Sequence, residues 1–246
     1  MTTFSQIQNK LDALEPPFRK ALEKEKNRYI NAVAQSFADG IEMPTYLYRQ
    51  HERNMQQIMY AGWRRSIRAF AVQNLSKLDG KKQILPNERK GLFDLLFATW
   101  VNTIGALRVR QVSETTRNDI RDAILEAEAE AVDQQGYIAK ILKAKGLSKV
   151  RAATIARTET HQAAMFANKE SAQSIALELG LQLKKRWVPA LDERTRVNHA
   201  VMASKPAIPM DEKFFVGGEW MDRPGDPNVS ASNTIRCRCV LTYEEA

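Results

Sequence analysis

Cysteine is scarce in this sequence of 246 residues: the only two, Cys237 and Cys239, are separated by a single residue. A relaxed disulfide normally requires the geometry of adjacent strands rather than an offset of two residues. A disulfide framework is therefore excluded, and a reducing compartment is expected. The two thiols are left as structural residues, a redox pair or half of a metal site.

Long apolar runs and targeting signals are also missing. No apolar run approaches the roughly 20 residues that a membrane-spanning helix needs. Residues 1–10 lack a charged start followed by an apolar signal core. The sequence therefore predicts a soluble protein without membrane contact that stays in the compartment where it is made. With 43% apolar residues, it also predicts a globular protein with a substantial core.

Negative charge is less abundant than positive charge, and the deficit lies in one part of the chain. Residues 1–150 hold 24 Lys and Arg against 17 Asp and Glu, whereas residues 151–246 hold 13 against 12. Dense Lys and Arg favour contact with a phosphate backbone or an acidic protein surface. The alternative is a helical surface that these residues keep soluble.

The first 150 residues show the spacing of amphipathic helices joined by short breaks. Helices are predicted at about 17–37, ending before Gly40, and from Pro44 to about Phe70. Turn residues between 75 and 89 interrupt the pattern, and further helices are predicted at 88–109 and 116–135. Their aromatic and methionine stripes indicate a core or a partner surface rather than a cofactor site.

The pattern changes near Gly146. Ser148 is a suitable cap for a long helix that ends at Gly180, and the spacing then becomes typical of strands. We predict a strand leading to Trp187, a hairpin over 214–220 about a Gly-Gly turn, and a last strand at about 237–243. The predicted fold class is α+β: a mainly helical N-terminal region, residues 1–145, followed by a C-terminal domain, residues 146–246, of one long helix on a small antiparallel sheet.

Several motifs follow one another in the C-terminal part. In chain order they are Ile155-Ala-Arg-Thr-Glu-Thr160; Trp187 with Asp192-Glu-Arg-Thr-Arg-Val-Asn-His199; Pro209-Met-Asp211 with Phe214; Met221 with Pro224-Gly-Asp-Pro227; and Cys237-Arg-Cys239 with Leu241 and Tyr243. In this order and spacing they resemble the Mu-F-like head morphogenesis domain. One position departs from the pattern, since the residue before the final Cys-x-Cys is often Asn in this family and is Arg236 here.

The resemblance implies a minor head protein of a tailed bacteriophage that is associated with the portal vertex. Such a protein acts in capsid assembly and in handling the packaged DNA, and it is not an enzyme. The partners implied are the portal protein, the major capsid or scaffolding protein, and packaged double-stranded DNA bound without sequence preference. The implied location is the virion, inside the head near the portal, after assembly in the host cytoplasm.

Arg157 and Glu159 lie two residues apart on the predicted long helix, so their side chains do not face each other. Each needs a partner elsewhere, and we expect one or both to reach the loop that carries Asp192, Arg194 and Arg196, where a guanidinium can bind a carboxylate. This predicts a structural clasp between helix and loop. The alternative is a catalytic glutamate with an arginine, but no glycine-rich phosphate loop accompanies it.

Cys237 and Cys239 would project from the same face of a strand and could present two thiolates to one ion. A structural zinc needs about four ligands, and His199, Asp192 or His161 are the candidates for the remaining places. The alternative is a pair of small buried thiols beside a hydrogen-bonded histidine. The sequence leaves both open, so zinc is the one cofactor it suggests.

Lys and Arg are densest in five clusters. They are Arg64, Arg65 and Arg68; Lys81 and Lys82; Arg89 and Lys90; Arg108 and Arg110; and Lys140, Lys143, Lys145 and Lys149. Such clusters can bind phosphates without reading sequence, and no base-reading module accompanies them. Two functions rival the structural one: a non-specific DNA-binding factor of packaging or ejection, and a nucleotide- or metal-dependent enzyme built around Glu159, Asp192 and His199.

Overall fold

The computed structural model describes residues 3–41, 44–78 and 86–246, with all their side chains except those at 73, 75–78, 86–89 and 144–148. Long helices form the first part of the chain. They are α1 (Phe4–Ala38), α2 (Thr45–Leu78), α3 (Pro86–Trp100), α4 (Ala106–Ala129) and α5 (Gln134–Leu179), and a π-helical turn, Val101–Gly105, joins α3 to α4.

Strands and short helical turns follow α5. They are β1 (Leu183–Val188), α6 (Val197–Ala200), a 3₁₀ turn (Val201–Ser204), β2 (Ile208–Pro209), β3 (Phe214–Val216), β4 (Glu219–Met221), α7 (Ala231–Thr234) and β5 (Val240–Glu245). The predicted α+β fold class is confirmed: helices come first, and one long helix precedes a small antiparallel sheet.

The sheet has three antiparallel strands in the order β2-β1-β5, and β3 and β4 form a separate hairpin. In β1, Lys185 and Trp187 are buried while their neighbours are partly exposed, which is the alternation of a strand with one face on the core. The hairpin turns at Gly217 and Gly218, both with positive φ, as predicted from the Gly-Gly pair.

Helix boundaries differ from the prediction in several places, and the break predicted between residues 109 and 116 lies inside α4. Helix α1 begins at Phe4 rather than near residue 17 and runs through Pro16 and Pro17, although two consecutive prolines remove two backbone donors from its interior. Helix α5 begins at Gln134, so Ser148 lies inside the helix and does not cap it. The C-terminal end is as predicted, because Gly180 takes the left-handed conformation with φ 67°.

Two compact units, each discontinuous in sequence, make up the chain. The first unit consists of Met1–Glu15, Gly62–Asn102 and Arg157–Ala246, and the second unit of Pro16–Ala61 and Thr103–Ala156. Helix α5 passes without a break through the predicted boundary at residues 145 and 146. The division into a helical region 1–145 and a head morphogenesis domain 146–246 stays a prediction.

The first unit has a core of large aromatic side chains. Trp63 and Trp100 meet edge to face with ring centroids 6.0 Å apart, and Phe166 lies 5.3 Å from Trp100. A second cluster lies around the sheet. It comprises Trp187, Met202, Phe214, Val216, Met221, Cys237, Cys239 and Leu241. Burial of such side chains stabilises each by about 1.5–3 kcal/mol.

The second unit combines an apolar core with a buried carboxylate. Its core comprises Tyr29, Ile30, Val33, Ala34, Leu47, Ile120 and Ile141. Beside it, Glu25 accepts hydrogen bonds from the Arg28 guanidinium, at 2.7 and 2.8 Å, and from the Asn54 amide at 3.0 Å. Its oxygen is also 3.0 Å from Nδ1 of His51, whose ring stacks on Tyr29 at 4.4 Å.

By length and composition alone, one helical stretch, Lys90–Ala129, is apolar enough to cross a membrane, contrary to the expectation from the sequence. Only 22% of its most apolar window is buried within the protein. Length and composition are weak evidence for a membrane span, since core helices and partner-binding helices share them. The stretch does present an apolar surface to its surroundings, with Leu95 63% and Leu107 58% exposed.

Candidate functional site

The site is organised by the segment of α5 from Thr158 to Lys169, which is buried on every side. Small residues at 163, 164 and 167 allow other elements to approach closely. Three buried polar side chains there have partners far along the chain. Glu159 accepts from Nε1 of Trp63 (3.1 Å), Nε2–H of His161 donates to the carbonyl of Cys239 (2.7 Å), and the Asn168 amide donates to the carbonyl of Leu241 (3.1 Å).

Arg157 and Glu159 both have partners in neighbouring helices. The guanidinium of Arg157 binds Glu15 in α1, with Nε 2.9 Å from the carboxylate, and Glu159 binds Trp63 in α2. These contacts link helix to helix, and the clasp with Asp192, Arg194 and Arg196 stays a prediction.

The loop residues instead bind within their own region. The carboxylate of Asp192 accepts hydrogen bonds from both terminal nitrogens of Arg238, and the guanidinium of Arg194 lies 3.8 Å from the same carboxylate. The Arg238 hydrogen bonds hold the pKa of Asp192 well below its usual range. Arg196 donates to the carbonyl of Ile235 at 2.6 Å. Asp192 therefore stays ionised with both oxygens engaged, and it is not among the grouped metal-ligand atoms.

His199, Cys237 and Cys239 come together as the sequence predicted. Nδ1 of His199 lies 3.8 Å from Sγ of Cys237 and 3.4 Å from Sγ of Cys239, and all three residues are buried. Trp187 covers the imidazole edge to face at 5.4 Å. His161 is not one of the grouped ligand residues; its hydrogen bond to the Cys239 carbonyl fixes the backbone at the second thiol.

The pKa values of the two thiols are shifted in opposite directions. A hydrogen bond from Cys237 lowers the pKa of Cys239, and His199 acts in the same direction, while burial opposes both. The same hydrogen bond, together with burial, raises the pKa of Cys237. The cluster therefore favours one thiolate beside an imidazole, and a thiolate is the form in which cysteine binds metals.

A cleft of about 190 Å³ opens beside this cluster in the first unit. Cys237 and His161 line it, together with the uncharged Gln8, Leu11 and Thr160 and with five charged residues. The charged residues are Asp12, Glu15, Arg157, Arg194 and Arg238. Arg157 pairs with Glu15 and Arg238 pairs with Asp192, so the charges around the cleft largely balance and its polar lining suits water.

Arg236 occupies a strained position just before the cysteines. Its φ of 57° lies in the left-handed region, which Asn adopts more readily than Arg, and its backbone N–H donates to Oγ1 of Thr158 at 3.2 Å. This conformation explains physically why asparagine suits the position. The hydrogen bond to Thr158 is donated by the backbone of residue 236, so it does not depend on whether the side chain is Asn or Arg.

Residues proposed for phosphate contact differ in their surroundings. Arg64, Arg65 and Arg68 are exposed on α2, and Lys143 and Lys149 are exposed on α5. Lys140 is engaged instead by two carboxylates, Glu126 at 2.9 Å and Glu130 at 2.7 Å, which neutralise it. Lys81 and Lys82 lie outside the described residues, as does the side chain of Lys145.

A charged cluster around Asp222 was not predicted from the sequence. The carboxylate lies 2.9 Å from Lys185, 3.0 Å from Arg223 and 3.1 Å from Lys169, and Lys185 is fully buried. In the adjoining turn, Asp226 accepts hydrogen bonds from the backbone N–H groups of Asp222 and Asn228. A charged residue within a strand pattern was the only available signal for Lys185.

The fold and the site define a largely helical protein with a small C-terminal sheet. Hydrogen bonds from His161 and Asn168 connect the buried segment of α5 to the chain at β5. The chain belongs to the family described as Phage Mu protein F like protein, whose profile matches residues 118–242. The resemblance inferred from the sequence motifs is thereby confirmed.

Two curated relatives extend this result. The chain is 33% identical over 147 residues to Minor head protein GP7 of Bacillus phage SPP1, which covers 58% of this chain and 46% of that protein. It is 33% identical over 90 residues to NAD(+)--arginine ADP-ribosyltransferase EFV of Enterococcus faecalis, covering 37% of this chain and 18% of that protein. The chain thus spans less than half the length of either relative. No solved structure matches it significantly.

Proposed function

We propose that this protein is a minor head protein of a tailed bacteriophage and acts in head morphogenesis as a structural component. The observation that carries the proposal is the family match over residues 118–242, which includes the buried helix segment, His199 and both cysteines. The identity with Minor head protein GP7 supports it. The likeness to the ADP-ribosyltransferase covers only 18% of that protein, so it supports no transferase activity here.

We further propose that the protein assembles in the host cytoplasm and resides inside the head, docked on the portal protein. The apolar stretch Lys90–Ala129 supports docking, because so little of its apolar window is buried within the protein itself. Large exposed apolar surfaces mark interaction sites, and Leu95, Leu107 and Leu125 are exposed leucines of this stretch. The alternative partner for this apolar surface is the major capsid or scaffolding protein.

The chain is expected to co-sediment with the portal protein encoded in the same genome. Leu95→Gln with Leu107→Gln should lower the bound fraction about tenfold or more, because two apolar anchors of about 1.5 kcal/mol each are lost. Leu177→Gln is the matched control, since Leu177 is 76% exposed but lies on α5. Co-sedimentation with capsid or scaffolding protein alone, or with no head protein, would overturn portal docking.

A second function, non-specific contact with packaged DNA, is favoured by the exposed arginines of α2. Arg64 and Arg68 line a groove of about 520 Å³ with Lys90, and the Arg64 guanidinium lies 4.8 Å from the centre of the Phe97 ring. Aromatic contact holds a guanidinium without neutralising its charge. These side chains therefore remain available to phosphate oxygens.

Retention of double-stranded DNA on filters should weaken steeply as salt is raised. Replacing Arg64, Arg65 and Arg68 together by Gln is expected to reduce the slope of log affinity against log salt by about 2–3, since each lost phosphate contact contributes about 0.9. Lys140→Gln is the matched control, because Lys140 already pairs with two carboxylates. An unchanged slope in the triple variant, or binding that persists in high salt, contradicts the proposal.

A further inference from the structure

The convergence of one imidazole and two thiols needs an explanation that head assembly does not provide. The three donor atoms lie within 4.8 Å of one another inside a cluster otherwise built from apolar side chains. His199 is 1% exposed, and each cysteine is 2% exposed. Apolar residues of similar volume would fill this space equally well, so packing alone does not account for the donor set.

The distances from the imidazole nitrogen to the two sulfurs match those of a tetrahedral metal site. Zinc binds sulfur at about 2.3 Å and histidine nitrogen at about 2.0–2.1 Å, so neighbouring S and N ligands lie about 3.6 Å apart. The observed distances from Nδ1 of His199 to the two sulfurs, 3.4 and 3.8 Å, fall on either side of this value. Within the described residues, no other His, Cys, Asp or Glu groups with these three.

The surroundings hold the ligands in place. The edge-to-face contact with Trp187 fixes the imidazole plane of His199. The bond from His161 to the carbonyl of Cys239 fixes the backbone that carries the second thiol, which is the kind of outer contact that orients metal ligands. The donor atoms are therefore positioned before any ion arrives, which reduces the ordering cost of binding.

We propose that Nδ1 of His199 and the sulfurs of Cys237 and Cys239 bind one zinc ion. Thiolate and imidazole ligands select zinc over magnesium or calcium, which prefer oxygen. Cys237 also lines the cleft that carries Arg157, Arg194 and Arg238, so the fourth ligand comes from the cleft as a water molecule. The ion joins the α6 region to the chain just before β5 and thereby stabilises the small sheet.

The test is the metal content of the full chain purified without a metal-binding tag. We expect about one zinc per chain, lost in the Cys237→Ser, Cys239→Ser variant and in His199→Asn. His51→Asn, which changes a buried histidine of the second unit, should retain the metal. Substitution with Co²⁺ should give the intense visible absorption of a tetrahedral thiolate complex in the wild-type chain.

A chelation experiment separates metal binding from a general folding defect. Removing the metal from the wild-type chain should lower its melting temperature by several degrees, with recovery on adding Zn²⁺, whereas the double serine variant should not respond to either step. If the wild-type chain contains no zinc and gives no thiolate absorption with Co²⁺, the two cysteines are core thiols and the proposal fails.

Discussion

Replacing Asp222 by alanine is expected to destabilise the first unit by about 3–5 kcal/mol, because it leaves a buried cation without its counter-charge. The ammonium of Lys185 is fully buried in β1 and is held by the carboxylate and the carbonyl of Asp222, at 2.9 and 2.8 Å. Lys169 and Arg223 share the same carboxylate. One anion thus contacts three cations, and although Lys169 also has Glu170 at 3.4 Å, the buried ammonium of Lys185 loses its carboxylate partner.

Burial alone would raise the pKa of Asp222, but hydrogen bonds and charges from Lys185 and Lys169 outweigh burial and hold the pKa below its usual value. A lowered pKa in the folded state stabilises the protein above the unfolded value, and this stabilisation is lost as pH falls through the folded value. Acid should therefore weaken the first unit partly through this residue.

Tryptophan fluorescence during urea unfolding measures this effect selectively, because Trp63, Trp100, Trp187 and Trp220 all belong to the first unit. Glu212→Ala is the control, since it removes an exposed carboxylate from the same region. Lys185→Met should be far milder than Asp222→Ala, because it removes the buried charge together with the need for a partner. Equal stability of Asp222→Ala and wild type would show that the cations find other partners.

Glu25→Gln is expected to destabilise the second unit by about 2–3 kcal/mol at neutral pH, because several hydrogen bonds to a buried charge are weakened together. The donors are Arg28, which is itself half-buried, Asn54 and the fully buried His51. Burial would raise the pKa of Glu25, but these hydrogen bonds outweigh it and lower the pKa from 4.5 to about 2.

The sign of this shift gives a pH dependence. The ionised carboxylate stabilises the second unit fully above pH 4.5, and that contribution is lost as pH falls from about 4.5 to about 2. Burial also lowers the pKa of His51 in the folded protein. Below the ordinary pKa of histidine, His51 is therefore protonated more readily in the unfolded chain, which further reduces stability in acid. Wild-type protein should therefore lose stability in acid more steeply than Glu25→Gln does.

Far-UV circular dichroism, which follows the helices, measures the urea midpoint at a series of pH values. Glu128→Gln serves as the comparison, since Glu128 is exposed on α4 in the same unit. Its profile should follow the wild type. Parallel acid profiles for Glu25→Gln and wild type would mean that the buried carboxylate does not control acid stability.

Features set by local chemistry could be predicted from the sequence. The end of α5 at Gly180 and the hairpin at Gly217 and Gly218 depend on residues that tolerate positive φ, and both were correct. The start of α5 was not, because Ser148 is a good cap only where a helix begins, and here packing continues the helix through it. A capping residue favours a helix start at its position, but tertiary packing can override this preference.

The partners of charged residues could not be predicted, because they lie far apart in sequence. Arg157 binds a residue 142 positions earlier, and Glu159 binds one 96 positions earlier. The periodicity of helices and strands gives no information about contacts between residues so far apart in sequence. The His199, Cys237 and Cys239 group was predictable because few residue types can share a metal site, so the choice among candidates was small.

The interleaving of the two units constrains the order in which the chain can fold during translation. Every segment of the second unit has been synthesised once Ala156 has emerged, whereas the first unit needs Met1–Glu15 to wait for β5. Contacts that close so late carry a high loop-closure cost and form slowly. The first fifteen residues must therefore avoid wrong partners until β5 has been synthesised, and the segment with the two cysteines is among the later parts of the first unit to join it.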